Sequence, residues 1–216
     1  DYAAEMFRRL DDRISMWATL NEPWVVTDGG YLHGALAPGH RNLFEVPLAA
    51  HNLLRAHGEA VSAYRSLGKN QIGIVVNLEP KVAATDSAAD IAAAGRSDTY
   101  MNRQYLDPVF KGRYPDEFPE LFGEAWPEFP SEDFRKISQP IDFLGINYYK
   151  RGVMRDDVTA MVERAAHVKH IPGATHTTLG WEVHAPSLTT ILTWVRDRYG
   201  DLPIYITENG AAFYDP

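Results

Sequence analysis

Runs of strand character alternate with runs of helical character along this chain, and the length of chain between the strands restricts its fold most. Ile14 to Leu20, Ile72 to Val76, Ile141 to Tyr149 and Pro203 to Thr207 read as four strands. Ile72-Gly73-Ile74-Val75-Val76 is apolar throughout, the pattern of a strand covered on both faces in a parallel sheet. Tyr2, Met6, Phe7 and Leu10 share one helical face, and Leu48 to Tyr64 is amphipathic with Gly68 placed to close it. Ala83 to Tyr105 is alanine-rich and reads as helix. Leu188 to Tyr199 is helical too, with Pro186 near its start and Gly200 just past its end. Gly29-Gly30 and Pro38-Gly39 punctuate a loop, Asp107 to Pro130 reads as a long loop, and Ala165 to Gly180 as an irregular excursion. Parallel neighbours need a crossover of about a dozen residues or more, usually a helix, and the gaps here supply one. The expectation is an α/β fold of right-handed βαβ units around a parallel sheet.

With 45% hydrophobic residues in 216, the chain can bury a sizeable core, which excludes disordered and low-complexity classes. Its length suits one domain, or one large section of one, because α/β barrels run to about 250 residues undivided. Lys plus Arg number 21 against 29 for Asp plus Glu, a net charge of −8. That balance argues against nucleic acid or an anionic membrane as partner, since both reward a basic surface. No apolar run approaches the roughly 18 residues that a membrane span needs. The absence of cysteine removes disulfides, thiol catalysis and cysteine-based metal sites, and fits a cytoplasmic setting. Asp1 opens the chain inside a helical pattern, without Met or a signal-peptide layout, so the start reads as a cut. The eight histidines show no ligand spacing, and no Gly-rich phosphate loop is visible, so no metal and no cofactor are expected. His51 and His57 read as packed helix residues.

Parallel α/β sheets place ligands beyond the C-terminal ends of their strands, whether the sheet is open or closed. Two carboxylates stand there. Glu22 follows the first strand, between Asn21 and Pro23, and Glu208 follows the fourth, before Asn209-Gly210. An acid in a loop is usually no more than solvated, but these two share one geometric position. A carboxyl pair is what acetal hydrolysis requires: one group protonates a poor leaving oxygen and the other meets the developing oxocarbenium ion.

The local sequences sharpen this. Trp17-Ala18-Thr19-Leu20-Asn21-Glu22-Pro23-Trp24 resembles the acid/base segment of glycoside hydrolase family 1, the β-glucosidases and their relatives. Ile204-Tyr205-Ile206-Thr207-Glu208-Asn209-Gly210 resembles that family's nucleophile segment, and Asp142-Phe143-Leu144-Gly145-Ile146-Asn147-Tyr148-Tyr149 a strand between the two. Gly30-Tyr31-Leu32-His33-Gly34 with Ala37-Pro38-Gly39, His51-Asn52-Leu53-Leu54 and Gly180-Trp181-Glu182 also fit, in family order over essentially the whole chain. His184-Ala185 departs from it, standing where the family has a tyrosine and a proline.

The resemblance implies a retaining β-glycosidase acting on a small-molecule β-glycoside or oligosaccharide, without a cofactor. By it, Glu22 is the general acid/base and Glu208 the nucleophile. Asn21 holds the sugar 2-hydroxyl, Tyr149 holds the nucleophile carboxylate, Asn147 lies near the same subsite, and Trp24 lines the leaving-group side. Read from type alone, Asn21 could cap a turn, Trp24 and Tyr149 could be packing aromatics, and Asn147 could satisfy loose backbone. The implied fold is a partial (β/α)8 barrel, with residues 1–216 a single incomplete catalytic section corresponding to strands four to seven. Three βα units separate Glu22 from Glu208, and eight of that size would need about 500 residues. A complementary barrel section, or self-association, is therefore the expected macromolecular partner. A catalytically inactive half-barrel that binds sugar stays open as an alternative, as does another family of the same barrel clan.

Overall fold

The computed structural model describes residues 1–214. The strands are β1 (Met16–Asn21), β2 (Gln71–Asn77), β3 (Lys81–Ala83), β4 (Phe143–Asn147), β5 (Gly152–Asp156), β6 (Ala165–His167) and β7 (Ile204–Glu208). The helices are α1 (Tyr2–Leu10), α2 (Glu45–Leu67), α3 (Ala88–Ser97), α4 (Gln104–Lys111), α5 (Phe118–Phe122), α6 (Ser131–Ile137) and α7 (Pro186–Tyr199).

Four strands form one sheet in the order β1-β2-β4-β7, parallel at each pairing. The four strands expected from sequence are these. β2 and β4 are apolar because they are the inner pair, flanked on both sides and covered by helices; Ile74, Val76, Leu144 and Ile146 are buried with Leu54 of α2, Leu106 of α4 and Ile191 and Val195 of α7. Glycine lets these strands pack: a Cβ at Gly73 would stand 2.3 Å from the Phe143 carbonyl oxygen. α2 runs further at both ends than its apolar stripe suggests. It buries Val46, Ala50, Leu54, His57, Val61 and Tyr64, and Gly68 stops it by donating its N–H to the Tyr64 carbonyl at 2.7 Å.

A second sheet, β3-β5-β6, is absent from the sequence reading. β3 follows β2 and β5 follows β4 after only a few residues, and the two pair in parallel, so they carry the β2–β4 pair past a break. β6 then folds back antiparallel on β5, giving part of the Ala165–Gly180 excursion a regular place. The run from Ala83 to Tyr105 is not one helix. Ser87 caps α3 by accepting the Asp90 N–H at 3.1 Å, and a π-helical turn, Asp98–Arg103, separates α3 from α4. That turn brings buried Asn102 to the chain beyond β2. Asn102 Oδ1 accepts the Glu79 N–H at 3.1 Å, and Nδ2 donates to the Glu79 carbonyl at 2.7 Å. Asp107 to Pro130 is likewise not all loop. It holds the end of α4 and the whole of α5, whose Phe118 and Phe122 pack with Tyr114 and Trp126.

Candidate active site

Both candidate carboxylates follow irregularities in otherwise regular ladders. Ala18 pairs with Gly73, but Asn21, three residues on, pairs with Val75, two residues on. On the other side of the sheet Ile146 pairs with Ile206, and the next residue, Asn147, pairs with Glu208. Each outer strand thus gains one residue just before its glutamate, and such bulges re-aim the side chains that follow them. Glu22 also takes φ 48°, a left-handed conformation that costs a side-chain-bearing residue roughly 1–2 kcal/mol. Its own N–H, bonded to the Val75 carbonyl at 3.0 Å, helps to hold it there. Backbone strain of this kind concentrates where position matters more than stability.

β4 lies between the two and ties them together. Asn147 is 1% exposed, and its Nδ2 donates to Glu22 Oε1 at 2.8 Å and to Asn21 Oδ1 at 3.0 Å. Tyr149, just past β4, donates its hydroxyl to Glu208 Oε2 at 2.5 Å. That bond to a carboxylate is the first cause pushing the Tyr149 phenol up to about 12, followed by partial burial and the charges of Glu208 and Glu22. Both carboxylates therefore act on one hydroxyl. Asn209 fixes the turn beyond Glu208 by donating to the Tyr148 carbonyl at 2.7 Å.

Charged pairs fix the surrounding loops. Burial alone would raise the Glu79 carboxyl, but Lys81 and Lys150, each 2.8 Å away, outweigh it and hold the group at about 2. This carboxylate locks the chain after β2 to the chain after β4. Arg151 grips Glu182 with two bonds of 2.7 and 2.9 Å, and the neighbouring Trp181 ring rests 5.4 Å from that of Tyr149.

Five of the six residues singled out from sequence, Asn21, Glu22, Asn147, Tyr149 and Glu208, thus meet in one cluster. Trp24 does not join it by any hydrogen bond. It packs on the core edge-on to Tyr100, and its Nε1 is buried without a partner among the described residues. Sequence reasoning passed over Asn77 and Thr207. Asn77 stands opposite Asn147 in register, with its Oδ1 buried and unpartnered among the described residues, and Thr207 donates to Asn147 Oδ1 at 2.6 Å. The signal for both was their place at a strand end, where alternation would have put Asn77 on the Asn147 side. Among the described residues no group of three His, Asp or Glu side chains is arranged to hold a metal ion. No helix is long and apolar enough there to cross a membrane.

The family model described as Glycosyl hydrolase family 1 matches residues 1–216, the whole chain. The chain belongs to glycosyl hydrolase family 1. A β-glucosidase of Agrobacterium sp. is 41% identical over 98% of the chain and 47% of its own length. Among solved structures, a family 1 β-glucosidase from Thermotoga maritima superposes with TM-score 0.93 at 37% identity, covering 100% of this chain and 48% of that one. A β-glucosidase from Exiguobacterium marinum does so with TM-score 0.93 at 41% identity, over 100% and 50%. The chain spans about half the length of the family 1 relatives it matches. Its parallel sheet with covering helices is a section of their α/β barrel, as expected from the sequence.

Proposed function

We propose that this family 1 chain carries the two catalytic carboxylates of a retaining β-glycosidase, with Glu22 as general acid/base and Glu208 as nucleophile. The observation that carries the reading is the bridged pair: carboxylates on the two outer strands, both in contact with the end of β4 through Asn147 and Tyr149. Tyr149 donates to Glu208 Oε2 and so holds that carboxylate in place. Glu22 keeps one oxygen clear of the Asn147 amide to exchange a proton with the leaving group or with water. Retention calls for carboxyl groups about 5–5.5 Å apart, close enough for direct attack on the anomeric carbon; a crystallographic separation well above about 8 Å counts against it.

The substrate is a β-glucoside-like small molecule. The Thermotoga maritima relative is described in complex with isofagomine lactam and with deoxynojirimycin, and the shared site supports a sugar ring in the same place here. Asn21 is the group that would meet its hydroxyls. Trp24 on the leaving-group side remains part of the proposal, through its ring rather than its buried nitrogen. The complementary partner is the remainder of a barrel, because β1 and β7 are each paired on one side only. Hydrolysis of a chromogenic aryl β-glucoside tests the function. Activity that is present, alone or with a complementary barrel section, and is abolished by Glu208→Ala supports it. Activity untouched by that substitution refutes it.

A further inference from the structure

The Asn147 amide has only one workable orientation. Nδ2 carries two hydrogens and faces two acceptors, Glu22 Oε1 and Asn21 Oδ1. Turning the amide over would set its oxygen against a carboxylate and leave both nitrogen hydrogens without those partners. Oδ1 therefore faces β7, where Thr207 Oγ1 lies 2.6 Å away and must be the donor. Thr207 is the extra residue of the β7 bulge, immediately before Glu208. Gly145, two residues before Asn147, makes room for it: a Cβ there would stand 3.0 Å from Thr207 Cγ2, 3.2 Å from its Oγ1 and 2.6 Å from Val75 Cγ2.

We propose that Thr207 is a positioning residue, whose hydroxyl anchors the Asn147 amide and so steadies the N–H that occupies Glu22 Oε1 and leaves Oε2 to handle the proton. The inference rests on the retaining-glycosidase reading above. Oε1 already accepts from Asn147, a bond that is strongest when that oxygen carries the negative charge, so the working proton belongs to Oε2. In the first step the Oε2–H bond breaks and its proton goes to the leaving oxygen. The bond from that oxygen to the anomeric carbon breaks as a Glu208 oxygen bonds to the same carbon. In the second step Oε2 takes a proton from water while the water oxygen bonds to the anomeric carbon and Glu208 departs as carboxylate. One oxygen serves both steps, which keeps the proton on one side of the sugar throughout. Among the described residues Thr207 makes no hydrogen bond to Glu22; its hydroxyl goes to Asn147. It acts by anchoring the amide oxygen that Glu22 and Asn21 turn towards β7, and it couples the acid/base after β1 to the strand that carries the nucleophile.

Thr207→Val keeps the branched shape beside Gly145 but cannot donate, whereas Thr207→Ser keeps the hydroxyl. In the isotope-labelled chain, the two side-chain amide protons of Asn147 should give well-separated signals that exchange slowly with water. In Thr207→Val those signals should converge and exchange faster, and the Glu22 carboxyl carbon should shift, while Thr207→Ser keeps the original pattern. Unmoved Asn147 and Glu22 signals in a folded Thr207→Val chain overturn the proposal. In a hydrolytically active preparation, Thr207→Val should lose about tenfold more kcat/KM on an alkyl β-glucoside than on a dinitrophenyl β-glucoside, whose departure needs no acid. Equal losses on both overturn it as well, because a merely structural defect slows both. If the parent protein, even with a complementary barrel section, leaves the dinitrophenyl glucoside intact while the amide pattern stands, the glycosidase reading fails and the relay survives.

Discussion

Glu22 holds a backbone conformation that its residue type disfavours, and its carboxylate is gripped from β4, so its position is maintained against a local cost. General acid/base help is worth about 10²–10⁴-fold, so Glu22→Ala should lower kcat/KM on alkyl glucosides by that order and on activated aryl glucosides far less. Steady-state kinetics on both substrates checks this, and equal losses contradict the role. Tyr149 makes a second test without turnover. Its phenol should ionise at about 12 in an ultraviolet pH titration, and Glu208→Gln should bring it back towards 10 by removing the charge that opposes phenolate formation. The places of Glu22, Glu208 and Tyr149 in one cluster were legible because each sits in a contiguous motif. Those of Thr207 and Asn77 were not. Thr207 is 60 positions from the amide it fixes, and only the bulged register of β7 against β4 brings the two together.

At the scale of elements, the long pieces announced themselves and the short ones did not. β3 and β6 have three residues each and α5 has five, too few to display a period of 2 or 3.6. The helix expected across Ala83–Tyr105 begins only at Ala88 and is interrupted by a π-helical turn, where Asn102 bonds to Glu79. Two predictions belong here. Gly73→Ala forces a methyl group against the Phe143 carbonyl at the centre of the sheet and should destabilise by about 1–3 kcal/mol in denaturant unfolding. A stability equal to the parent's would mean that β2 and β4 separate more easily than their packing implies. His57 supplies the second. It lies buried in α2 beneath β1, bonded through Nδ1 to Thr19 at 2.6 Å, and burial lowers it to about 4. The unfolded chain takes up that proton near 6.5 while the folded one refuses it until about 4, so stability is full above 6.5 and falls as pH drops through that window. Urea midpoints should decline from pH 6.5 to 4, less steeply in His57→Gln. A His57→Gln slope identical to the parent's removes the assignment.

For the whole molecule, the decisive feature is a parallel sheet whose two outer strands have one neighbour each among the described residues. On β7, Tyr205 and Ile206 are each 41% exposed, unusual for apolar residues in a parallel strand. In solution the chain should associate, and sedimentation equilibrium should return a mass that rises with concentration above 24.3 kDa. A chain supplying the complementary barrel strands should suppress that rise and increase glucosidase activity. A strictly monomeric 216-residue chain across the concentration range would show that the outer strands are protected. The parallel sheet was legible from the strand–helix alternation, since crossovers of that length permit few arrangements, and its being a barrel section from the family resemblance. The central claim, that Glu208 attacks the anomeric carbon, has a direct test in trapping. An activated 2-deoxy-2-fluoro-β-glucoside slows both chemical steps but keeps a good leaving group, so a covalent glycosyl-enzyme accumulates. Peptide mass spectrometry after incubation should find one fluoroglucosyl group, on the peptide containing Glu208 and on that carboxylate. A label on any other residue, or hydrolysis that releases the α-anomer with no label, would contradict the account.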